Sequence, residues 1–237
     1  MFLILLVISS CVIAGCVSSH DAEFTQANSL IESANSRFLS LNPVNMTTVQ
    51  VGEIRANASA AQRDLAEAKK ILEKIPPNEL KTQDRADLKA LILMLNGTIE
   101  LTEVMEGPLA DLIEDAQIII NSKDPATVSD AGLKFKQDLA VLKIRVNKIN
   151  NEFSSINDTG LSPKIKQNIS QTKTSIKSLS ADIDNASARL ADACLKICSD
   201  NEILGTDCQC HPRCGYSYCA RDAVCRNNIC YRSPVFT

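Results

Sequence analysis

Cysteine is the residue with the most chemistry on offer in this chain. Ten are present. Two lie near the start, and Cys194, Cys198, Cys208, Cys210, Cys214, Cys219, Cys225 and Cys230 crowd one short segment. Clustered thiols can cross-link, ligate zinc, or cycle between redox states through a C-x-x-C pair. No C-x-x-C is present, which argues against a redox enzyme. A zinc site could draw on Cys208, Cys210, His211 and Cys214, but the C-x2-C knuckles of structural zinc sites are missing. An even number of cysteines in a small exported segment reads as disulfides, here four, with roughly 105 possible connectivities. Cys208 and Cys210 are too close to pair with each other and should reach different partners. Cys194 and Cys198, at i and i+4, would share a helical face and join this module to the helix before it.

Other reactive residues are scarce. The chain has two histidines, His20 and His211, and no tryptophan. No nucleophile–base set, phosphate loop or paired-carboxylate motif stands out, so no enzyme activity, metal or cofactor is expected. The formal charge of −3 leaves no basic surface suited to nucleic acid. All three tyrosines, Tyr216, Tyr218 and Tyr231, lie among the clustered cysteines, together with Arg213 and Arg221. Tyrosine and arginine on a rigid scaffold are the residue types that dominate binding hot spots. Arg213, Tyr216, Tyr218 and Arg221 are therefore the expected ligand contacts.

Residues 2–17 form an uncharged apolar run, FLILLVISSCVIAGCV. It is short for a membrane span and the right size for the apolar part of an export signal. The run ends in Ile13-Ala14-Gly15-Cys16, which resembles the lipobox of prokaryotic surface lipoproteins. That resemblance implies cleavage before Cys16 and lipid on Cys16, although no Lys or Arg precedes the run. The alternative is an uncleaved anchor helix, and either would hold the protein at the outer face of the membrane.

N-x-S/T triplets begin at Asn45, Asn57, Asn96, Asn157, Asn168 and Asn185. With 17 Asn and 34 Ser plus Thr in 237 residues, chance gives 17 × 34/237, about 2.4. Six triplets are glycan acceptor candidates on an external surface. Together with the lipobox they hint at an archaeal cell surface.

Long helices must carry these features. Between residues 22 and 193 the apolar positions fall on a 3-4 spacing in five runs: Phe24 to Leu41, Val51 to Ile75, Leu88 to Ile119, Phe135 to Ile156, and Ile165 to Ile197. Such seams are the mark of helices packed knobs-into-holes. Asn42-Pro43, Pro76-Pro77, Asp124-Pro125 and the stretch 158–163 separate the runs, because proline cannot continue a helical ladder. Ser162 should cap the fifth helix (162–198) with Pro163 at its first position. Gly107-Pro108 should kink or divide the third. On this register none of the acceptor asparagines falls on a seam.

The spacing predicts a mainly α fold: an elongated antiparallel bundle or coiled coil of about five long helices, followed by a small disulfide-rich module. The expected parts are an export signal (1–15), a lipidated tether (16–22), a helical stalk (23–193) and a cysteine-rich module (194–237). The expected role is a lipid-anchored surface protein that presents the module to a surface protein or glycan. The alternatives are an envelope spacer, or a sensor or solute-binding lipoprotein with a groove between helices.

Overall fold

Apolar side chains at every third or fourth position cannot all be buried by one helix, so each run folds against its neighbours. The computed structural model describes residues 20–40, 50–191, 198, 202–204, 209–214, 217–219, 223–227 and 229–232. Within these, α1 spans Asp21–Ser40, α2 Val51–Glu73, α3 Thr82–Val104, α4 Ala110–Asn121, α5 Pro125–Ser154 and α6 Pro163–Ala191. The fold is mainly α, as the spacing predicts. α1 starts inside the stretch assigned to the tether, two residues before the expected stalk boundary.

A single π turn, Met105–Leu109, joins α3 to α4 and contains Pro108. Proline lacks an N–H and its ring crowds the carbonyl four residues earlier; a wider turn relieves both. The helix therefore runs on from Thr82 to Asn121, roughly 60 Å at 1.5 Å per residue. Beyond the turn Leu112 of the expected seam is buried together with Ala110, Ile113 and Asp115, while Leu109, Ala116 and Ile119 of that seam are only half-buried.

Cross-helix contacts fix an antiparallel order. His20 Nε2 lies 3.0 Å from Glu79, and Asp64 accepts from Ser33 (2.8 Å) and Arg37 (3.2 Å), so α1 runs back along α2. Arg55 at the start of α2 bonds Asp111 (2.6 Å) and Glu114 (3.0 Å) of α4. Lys148 of α5 reaches Glu100 of α3 at 2.9 Å. Ser180 of α6 donates to Asn147 of α5 at 2.6 Å, and Lys143 pairs with Asp184 at 2.8 Å. One continuous apolar core, from Phe24 through Leu65, Leu95, Ile149 and Phe153 to Ile183, runs through the bundle.

Helix ends are tied down locally. Asp124 caps α5, accepting from Thr127 N at 2.9 Å, with Pro125 at the first position. Between α5 and α6 the chain turns at Gly160, whose φ of +77° few other residues accept. Pro163 opens α6 as expected, and Ser162 O accepts from Lys166 N at 3.0 Å. The N–H of Ser162 is taken by buried Asp87 of α3 at 2.9 Å, which places a carboxylate at a helix N-terminus.

Beyond the helices, β1 (Glu202–Leu204), β2 (Cys210–Cys214) and β3 (Ser217–Tyr218) form an antiparallel sheet in that order. β4 (Ala223–Arg226) and β5 (Ile229–Arg232) form a hairpin. Its turn uses Asn227 at φ +51°, a conformation asparagine tolerates well.

Candidate functional site

Among the described residues the cysteine-rich module is built from very short strands, none longer than five residues. Such strands bury little apolar surface, so covalent links must hold them. Among the described residues three disulfides do so: Cys198–Cys210, Cys214–Cys225 and Cys219–Cys230, with Cα atoms 5.4–5.6 Å apart. Cys225 and Cys230 face each other in the β4–β5 register yet send their sulfurs to different partners. Those two links interleave along the chain and clamp the hairpin to the end of β2 and to the residue after β3. The sulfurs of Cys214, Cys219 and Cys230 lie within 4.8 Å of one another. Each is bonded to a sulfur partner, as are Cys210 and Cys214 of the alternative zinc set.

The disulfide reading thus holds for six of the eight clustered cysteines. Cys194 and Cys208 lie outside the described residues. One expectation is corrected: Cys198 lies outside the helix, so it cannot share a helical face with Cys194 at i+4. Cys210 does reach a partner other than Cys208.

Of the expected ligand contacts, Arg213 is exposed on β2, and Tyr218 of β3 stands opposite it in the antiparallel register. Tyr216 and Arg221 lie outside the described residues, as do Cys16 and Asn45. Asn157 and Asn185 are exposed, and Asn57 and Asn96 are half-buried. Asn168 is a correction: at 3% exposure it lies on the inner face of α6 with Ile165, Ile169 and Thr172. Near its start α6 packs on α3 as well as on α5, so its buried face is wider than one seam. A glycan has no room there in the folded chain.

A second cluster went unseen in the sequence. Asp115 of α4 is buried and lies beside half-buried Asp138 of α5, with Asp111 nearby. Burial, then the Asp138 charge, pushes the Asp115 carboxyl up to about 6, partly offset by Lys134. Asp138 is also raised, by burial and by the charge of Asp111. Asp115 and Asp138 stand far apart in the chain and off the apolar seams, and the packing of α4 on α5 brings them together.

Comparison with known proteins returns no match to a family model, a curated protein or a solved structure.

Proposed function

We propose that this chain is a lipid-anchored surface protein whose helical stalk holds a disulfide-bonded recognition module away from the membrane. One observation carries this reading: the two ends of the helical region lie at opposite poles. The start of α1 sits beside Glu79 through His20. α6 begins near that same pole, at Asp87, and its 29 residues carry the chain roughly 40 Å away. A tether before α1 and a module after α6 would then leave the bundle from opposite poles. Among the described residues no helix is long and apolar enough to cross a membrane. Anchoring then falls to the apolar run and Cys16, and recognition to the strand pair carrying Arg213 and Tyr218. The packed interior, with Ala58, Ala61 and Ala68 fully buried between α2 and its neighbours, supports a rigid spacer over a ligand groove.

The test is Cys16→Ser in the native host. The variant should be released to the medium or accumulate as an unprocessed precursor. Processing and membrane retention identical to the parent would refute lipid attachment at Cys16.

A further inference from the structure

α5 carries two stripes at 3-4 spacing. Leu139, Leu142, Val146, Ile149 and Phe153 form the buried one. The other faces solvent and runs through Asp130, Leu133, Gln137, Ala140, Ile144 and Lys148. Two large apolar side chains flank its centre, Leu133 at 59% and Ile144 at 70% exposure, with neighbouring Val141 at 42%. Asp130 and Lys148 close it at either end, with side chains 66% and 62% exposed. Large apolar side chains this exposed on one helix stripe mark a surface that gains by being covered.

The order of residues along this stripe identifies what covers it. Read in either direction it runs charged, apolar, polar or small, apolar, charged, with the two charges opposite in sign. Leu133 and Ile144 lie equally far on either side of a midpoint beside Asp138 and Leu139, and so do Gln137 and Ala140. Asp130 and Lys148 match to within one residue. A helix with this symmetry is complementary to its own copy turned end over end, the isologous contact of a two-fold dimer.

We infer that α5 pairs antiparallel with α5 of a second copy of this chain. In that pairing Leu133 packs on Ile144 of the second copy, Gln137 meets Ala140, and Asp130 meets Lys148, each contact made twice. A parallel pairing would instead set Asp130 against Asp130 and Lys148 against Lys148. The existing partners do not block the contact. Lys134 (3.1 Å from Asp130) and Glu100 and Glu152 (2.9 and 3.4 Å from Lys148) hold exposed pairs, which rearrange at little cost. An ammonium also has three donors to share.

The pairing has a geometric corollary. Because the α1 start lies at one pole, an axis perpendicular to α5 sends the two α1 starts to opposite ends of the dimer. If the chain is tethered as proposed above, such a dimer bridges two facing surfaces instead of standing on one. That corollary rests on the tethered reading; the pairing itself does not.

Light scattering on the full chain in mild detergent tests the pairing without reference to the anchor. The protein mass should rise to twice the chain mass as concentration increases. Ile144→Glu should return it to the single-chain mass with an unchanged helical spectrum. Asp130→Lys and Lys148→Asp should each remain single chains alone, yet form a dimer when mixed, since each then supplies the charge the other lacks. Leu133→Cys mixed with Ile144→Cys should give a cross-linked dimer with a short bis-maleimide, whereas Leu133→Cys alone should not. A single chain at every concentration overturns the pairing. So does a dimer indifferent to Ile144→Glu, or one cross-linked by Leu133→Cys alone.

Discussion

Replacing Asp115 by asparagine should stabilise the bundle near neutral pH and do little in acid. The Asp115 carboxyl titrates near 3.8 in the unfolded chain and is pushed up to about 6 in the folded one. Below the lower value both states hold the proton, and stability does not depend on this group. Between the two values the folded state keeps a proton the unfolded state has released, so stability falls as pH rises. Above about 6 both states are ionised and the full penalty is present. At about 1.4 kcal/mol per pH unit, the penalty amounts to about 2–3 kcal/mol. Asparagine has nearly the same shape, can still donate to Asp138, and carries no charge. Urea unfolding followed by circular dichroism at pH 4 and at pH 7.5, on parent and Asp115→Asn, isolates the effect. The variant should gain about 1–3 kcal/mol at the higher pH, allowing for the coupled shift of Asp138, and lose most of that advantage at the lower. Parallel pH curves for the two proteins would refute the idea that Asp115 is buried against a like charge.

Two other outcomes test the packing and the cross-links. A methyl group on Gly97 would clash with the buried Phe153 ring, so Gly97→Ala should cost about 1–3 kcal/mol despite the better helix propensity of alanine, with Phe153→Leu recovering some of the loss; chemical denaturation of the single and double variants measures both. Dithiothreitol should make the strand region protease-sensitive while the helical signal persists, because each link typically contributes about 2–4 kcal/mol to a module with little core; limited proteolysis with mass spectrometry reads this, and loss of helicity on reduction would contradict it.

The long helices and most of their breaks were legible in the sequence because each rests on local signals: 3-4 spacing, prolines and caps. The seams from Phe24 to Ala34, Ile54 to Ile75 and Leu139 to Ile156 are buried as read. What escaped depends on the rest of the chain. Gly107-Pro108 marks an interruption, but not that one turn widens while the helix runs on, and Asp115 is covered by α5, which no local signal announces. Asn168 reads as a surface residue until α3 supplies a second wall for α6. In the module, cysteine counting establishes that cross-links are needed, while their pattern follows from strand register that so short a segment does not announce.

The opposite placement of the two ends has a mechanical meaning. Tension between the start of α1 and the end of α6 acts along the helix axes, not across them. α1 would have to slide along α2 with Phe24, Ala27, Ile31 and Ala34 all engaged. α6 would have to slide along α5 against its whole buried face from Ile165 to Ile183. In such shear every contact along a helix resists at once, whereas ends at one pole would let the same contacts peel away in succession. Lifetime under force depends on the unfolding rate, and this topology slows that rate without adding a single interaction.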